Sequence, residues 1–196
     1  MPATLSPCLV SPPQKNADLT EKELIEGCVR KDTRCQRALF ERYAGTMLSV
    51  CRRYASDQKE AEDMLQETFI RVFSYVDQFK FQGSLEGWIK RITVNASLRV
   101  LQNKKVRFSE IKEDHHEYPT VDAFALSSLG ADELLKLISH LPDGYRTVFN
   151  LYAIEGYTHE EIAELLHIKP ASSRSQLSKA RSLLKEQIIS RQKITS

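Results

Sequence analysis

The chain has 196 residues, 41% hydrophobic and 28% charged, with a net charge of +2. That is room for one ordinary domain or two small ones, and 7 glycines are too few for a sheet-rich fold dense in tight turns. No stretch approaches the roughly 18 uninterrupted apolar residues of a membrane span. The opening MPATLSPCLVSPPQKNADL lacks the basic-then-apolar order of a secretory leader, so a cytoplasmic protein without membrane insertion is expected.

Residues 1–18 are proline-rich and aperiodic, a flexible tail. Thr20 to Glu23 spells a capping box, in which the Thr hydroxyl and the Glu carboxylate each satisfy a free amide, and a helix to about Arg30 is predicted. A second is predicted from Asp32 to Tyr54, with Leu39, Phe40, Tyr43, Met47, Leu48 and Cys51 recurring at three and four. A third starts near Asp57 and carries Ala61, Met64, Leu65, Thr68, Val72 and Val76 on one stripe. QFKFQGS, residues 78–84, breaks the pattern as a loop. The fourth helix, Leu85 to Gln102, turns Trp88, Ile89, Ile92 and Ala96 inward.

Residues 109–130 are polar, acidic and aperiodic, a linker. Helices are then predicted near 131–140, 143–155, 159–166 and 170–188. Pro142 suits a helix start, Gly156 a helix end, and Thr158 to Glu161 is a second capping box. Residues 191–196 read as a C-terminal tail. No strand pattern competes. The predicted fold is all-α: one helical domain over 19–108 and a smaller one over 131–190, on an acidic tether.

Cys8, Cys28, Cys35 and Cys51 form neither a CxxC pair nor a disulfide framework, so reduced, mostly buried thiols are expected. A metal enzyme built from them with His115 and His116 lacks ligand spacing and an acid pair. No catalytic residue, metal or cofactor is expected.

The charges fall in opposed blocks. On the third helix Glu60, Asp63, Gln66 and Glu67 line an acidic side bordered by Phe69 and Ile70, with Phe73 widening the apolar stripe; acid beside exposed apolar surface suits a basic protein partner. Between Trp88 and Phe108 stand Lys90, Arg91, Arg99, Lys104, Lys105 and Arg107 with no acid, after a loop carrying Phe79, Lys80 and Phe81. Aromatics stack on unpaired bases while cations track the backbone, and Asn95, one turn beyond Arg91, can pair with a base edge. Core packing of Trp88, Phe79 and Phe81, and burial of Asn95, are the plainer alternatives.

In HEEIAELLHIKPASSRSQLSKAR, residues 159–181, Ile162, Ala163 and Leu166 face inward on a first helix, and Ser173, Leu177, Ala180 and Leu184 on a second. The opposite face, centred on Ala171, Ser175, Ser178 and Ser182 and flanked by Arg174, Lys179 and Lys185, is small, polar and cationic. Such a face enters a DNA major groove as the second helix of a helix-turn-helix; a solvated cationic hairpin is the alternative. His167 occupies the corner where Gly is frequent, and histidine tolerates positive φ better than most residues.

AEDMLQETFIRVF, SLEGWIKRITVNASLR and LPDGYRTVFNLYAIEGYTHEEIAELLHI, in this order and spacing, resemble segments of bacterial extracytoplasmic-function sigma factors, the two-domain branch of the sigma-70 family. The likeness spans about residues 20–107 and 132–188. It implies sigma region 2 over 19–108 and region 4 over 131–190. It implies RNA polymerase core as partner, through the clamp helices of the largest subunit at Asp63, Gln66 and Glu67, bordered by Phe69 and Ile70, and through the flap of the second-largest subunit. Lys80, Phe81, Arg91, Asn95 and Arg99 are the implied residues for opening and reading the downstream promoter element as separated strand, with Lys104, Lys105 and Arg107 extending the track. Ser172, Arg174, Ser175, Ser178 and Lys179 are implied to read the upstream element as duplex. An anti-sigma partner is left open. Many members have Gly-Thr-Val where this chain has Ala171-Ser172-Ser173, which makes the inward side of the second helix more polar, and Ser178 and Lys179 replace bulkier or arginine residues.

The implied task is an address and strand separation, with no covalent step. The tether of 22 residues reaches at most about 75 Å extended but spans roughly 25 Å as a coil, against elements roughly 50 Å apart on DNA. A compact free protein, spread by the polymerase, is therefore expected. The tether's Glu110, Glu113, Asp114, Glu117 and Asp122 suit a basic channel or merely a solvated strand. The alternative functions are a stand-alone helix-turn-helix regulator, which leaves the acidic face and the Phe-Lys-Phe loop unused, and a protein-only adaptor.

Overall fold

The computed structural model describes residues 19–103 and 130–195. The predicted tail over 1–18, the cations Lys104, Lys105 and Arg107, and linker residues 109–129 lie outside them. The described residues are helical, without strands.

Helix α1, Glu21–Val29, begins at the predicted capping box, with Thr20 accepting from the Glu23 amide and Glu23 accepting from the Thr20 amide at 2.8 Å. Helix α2, Thr33–Tyr54, starts at Asp32, whose carboxylate accepts from the Arg34 amide. The α1–α2 corner is tight: a Cβ on Gly27 would lie 2.2 Å from Cys35 Sγ, so only glycine fits. Helix α3, Gln58–Tyr75, is capped by Asp57 and runs into a 3-10 turn, Val76–Gln78. Helix α4 spans Leu85–Asn103.

Helix α5, Ala131–Ser139, is followed by α6, Asp143–Phe149, which continues as a π-helical turn over Asn150–Ile154. Arg146 is buried and ties this corner, donating to the carbonyls of Ser139 and Leu141 and pairing with Asp143 at 2.6 Å. Gly156 then takes φ +79, the left-handed region that favours glycine. Helix α7, His159–Leu166, has both halves of its predicted capping box, and His167 adopts φ 55 at its end, as its tolerance allows. Helix α8 runs Pro170–Thr195, so most of the expected C-terminal tail continues a helix.

One apolar cluster joins Ile25, Leu39, Tyr43 and Met47 to Phe69, Val72, Leu85 and Ile89. A second contains Val50, Tyr54, Met64, Val94 and Leu101 from the N-terminal domain together with Leu137, Ile138, Val148, Leu151, Ile162 and Leu177 from the C-terminal one. The domains thus share a core, in keeping with the compact arrangement expected from the tether. Of the predicted inward residues, Phe40 is the exception: it is 41% exposed and lies edge-on against Phe69 at 4.7 Å. Cys28, Cys35 and Cys51 are buried and free, and among the described residues no cluster of His, Cys, Asp or Glu could hold a metal ion.

Candidate nucleic-acid interface

On α3, Asp63 and Gln66 are exposed, and Glu67 is half-buried, paired with Arg71 at 2.6 Å. Ile70, 55% exposed, puts apolar surface beside them. Two expectations need correction. Phe69 is buried, packed between Phe40 and Phe73, because its position rolls toward α2; it supports this face from beneath. Glu60 is also buried, its carboxylate accepting from the amide and hydroxyl of Ser56, so it caps the α2–α3 corner instead of extending the acidic side.

The Phe-Lys-Phe loop divides its rings. Phe79 is buried against Trp88, with centroids 5.5 Å apart, as the plainer alternative held. Phe81 is 53% exposed, edge-on to Phe79 at 5.1 Å, and its backbone is left-handed at φ 55. That conformation is uncommon and costly for an aromatic residue. It turns the ring outward beside exposed Lys80. On α4, Ile89, Thr93, Ala96 and Leu101 face the core. Arg91, Asn95 and Arg99, at intervals of four, are exposed together on the opposite side, so Asn95 is not the buried residue of the plainer alternative.

Helix α8 is wedged against both α6 and α7, and this widens its buried arc beyond one stripe. Ser173, Leu177, Ala180 and Leu184 are buried as expected; Ser172 and Gln176 are buried as well. Ser172 is therefore removed from the outward set. Arg174 is exposed and pairs with Glu160 at 3.4 Å, while Ser175, Ser178 and Lys179 are partly accessible on the same side. The buried Ser173 hydroxyl is hydrogen-bonded to His159 Nδ1 at 2.9 Å. The His159 ring stacks on Tyr152, centroids 4.5 Å apart, and Arg181 lies 5.8 Å from the Tyr152 ring centre. Burial first, then Arg174, depress the His159 pKa below its ordinary value.

Between the domains, Glu155 pairs with Arg53 and with Lys90, each at 2.8 Å. Asn150 Nδ2 donates to the Arg53 carbonyl, and Gln102 Nε2 to that of Leu165 at 3.3 Å. An open cavity of about 440 Å³ lies here, with Arg91 and Lys90 on one wall and Glu155, Tyr157 and Glu161 on the other. Sequence reading missed Arg53, Asn150, Glu155 and His159, whose partners lie far along the chain or across a helix corner. The sole signal was polar Ser173 on an inward stripe.

Residues 39–107 match sigma-70 region 2 and residues 131–184 match sigma-70, region 4. The extracytoplasmic-function sigma factor SigE of Mycolicibacterium smegmatis is 34% identical over 154 residues, covering 76% of this chain and 59% of that protein. This chain thus spans less than two thirds of that relative's length. The corresponding sigma-E factor of Haemophilus influenzae is 26% identical over 182 residues, covering 87% of this chain and 96% of that one; SigW of Bacillus subtilis is 26% identical over 183 residues, covering 85% and 96%. Regions 2 and 4 thus fall on the helices that carry the outward cations and the helix-turn-helix, and the chain belongs to the sigma-70 family as an extracytoplasmic-function sigma factor.

Proposed function

We infer that this chain serves as an alternative sigma factor whose two domains divide promoter recognition. Asp63, Gln66, Glu67 and Ile70 dock on RNA polymerase core, with Phe69 holding the face in shape. Phe81, Lys80, Arg91, Asn95 and Arg99 open and read the downstream element, and Arg174, Ser175, Ser178 and Lys179 read the upstream element as duplex. The observation that carries this is the outward presentation of Phe81, at φ 55, beside the exposed row Arg91, Asn95 and Arg99. A duplex-only regulator has no use for a projecting ring, whereas an extruded base stacks on one. Lys104, Lys105 and Arg107 extend the track, and a cytoplasmic location follows from the polymerase partner. An anti-sigma factor is a further partner of this proposal.

Elements roughly 50 Å apart on DNA call for a more extended arrangement than two domains sharing a core, and in this reading polymerase draws the domains apart. Transcription with core polymerase on a randomised promoter library tests the reading. Arg174→Ala should change upstream preference alone and Asn95→Ala downstream preference alone. Loss of all directed initiation in the unaltered protein would overturn it.

A further inference from the structure

Ser173 presents a hydroxyl to the interior at a position where no water reaches it, being 0% exposed. A buried hydroxyl without a partner is destabilising. Its partner is His159, the first residue of α7, across the helix corner. The stack Arg181, Tyr152, His159 and Ser173 leaves α8 and returns to it about two turns earlier, touching that helix at two points. A helix held at two points along its length cannot roll about its axis. The outer side repeats the tie, since Glu160 follows His159, Arg174 follows Ser173, and these two are paired.

We propose that His159 is a positioning residue for duplex reading: through Ser173 and Tyr152 it sets the roll of α8 and so the aim of Arg174. This rests on the assignment of α8 as the upstream reader. Contact between His159 and DNA is no part of it.

The hydrogen bond has two forms. A neutral imidazole with its proton at Nε2 accepts the Ser173 hydroxyl at Nδ1, whereas a protonated ring donates Nδ1–H to the Ser173 oxygen and turns the hydroxyl proton away. The ring's charge would then stand beside Arg174 and Arg181 on α8, with Glu160 the one opposing acid and Tyr152 uncharged in the stack. Burial and these arginines keep the ring neutral to lower pH than usual. Acidification through that lowered range should loosen the roll of α8 and blunt base preference.

The test uses full-length protein with core polymerase selecting from duplexes randomised in the upstream element and from others randomised downstream. His159→Phe keeps the stack and loses the hydrogen bond; Ser173→Val fills the site without the hydroxyl. Each single variant should reduce upstream selectivity about tenfold, while His159→Phe with Ser173→Val, an apolar pair, recovers most of it, the coupling expected of residues in contact. On an Arg174→Ala background His159→Phe should add nothing, and downstream preference should stay unchanged throughout. Wild-type upstream selectivity should fall on acidification below the ordinary histidine range, and that of the double variant should not. Unaltered selectivity in both single variants, additive losses, or equal losses at both elements would overturn the inference while leaving the sigma-factor reading intact. A wild-type protein that selects no upstream sequence at all would overturn the reading and this inference with it.

Discussion

Glu155 and Arg53 are 102 residues apart in sequence and 2.8 Å apart in space. The Glu155 side chain is 5% exposed, and its other oxygen holds Lys90 at 2.8 Å. A carboxylate so placed is stabilising only while both cations stay, because removing one partner of a buried pair leaves the remaining charge uncompensated. Glu155→Gln keeps the volume and removes the charge, and should weaken closure of the two domains by about 1–3 kcal/mol. Small-angle scattering of the full chain should show a larger radius of gyration for the variant than for the wild type. Equal radii would mean that the shared apolar core alone decides closure.

Phe81 is exposed, so Phe81→Ala should leave the melting temperature nearly unchanged. It should cost about 1–3 kcal/mol in capture of a separated strand, the usual worth of base stacking on a ring. A fluorescent base analogue in the downstream element reports this directly. Full opening by Phe81→Ala would remove the ring from the proposed mechanism.

Ile70 and Phe69 are neighbours with opposite fates. Ile70→Ala should lower core-polymerase affinity at unchanged stability, since its side chain is 55% exposed. Phe69→Ala should destabilise the N-terminal domain by about 3–5 kcal/mol, as large-to-small core changes do. Calorimetry of the free variants and a polymerase pull-down separate the two effects.

The Glu161 carboxyl is held below its ordinary pKa, first by the Thr158 amide, which it accepts at 2.8 Å, and then by the Thr158 hydroxyl. A depressed carboxyl contributes stability that is present above its unfolded value and lost as pH falls through its folded value. Glu161→Gln should therefore flatten the acid limb of the stability curve. Thermal melts between about pH 6 and pH 3 measure it, and curves of identical shape would discount the cap.

Burial pushes the thiols of Cys28 and Cys51 up to about 11, with Cys35 adding to the shift at Cys28. The reactive form is the thiolate. Both residues should resist alkylation near neutral pH in the folded protein and react once it is denatured, as peptide mapping can show. Rapid native labelling of Cys51, which is 0% exposed, would contradict its placement in the core.

Much of this protein is local and therefore legible. Helix starts at Thr20, Asp32, Asp57 and Thr158 follow from a side-chain oxygen reaching an amide two or three residues on. The exposed row Arg91, Asn95 and Arg99 follows from helical spacing alone. Phe69 and Ser172 were misjudged because periodicity locates the centre of a buried stripe but not its width, and Glu60 because its carboxylate turns back to the amide and hydroxyl of Ser56. The width of a stripe depends on how many helices press on it, and α8 meets α6, α7 and the edge of α5.

By itself, the sequence determined the all-helical class, the two domains, the family and the outward cations, because caps, periodicity and charge act over a few residues. Tertiary structure alone decided that the domains share a core, that Glu155 locks Arg53 and Lys90, and that His159 satisfies Ser173. These depend on which surfaces meet when the chain closes on itself, and no short-range pattern encodes a partner a hundred residues away.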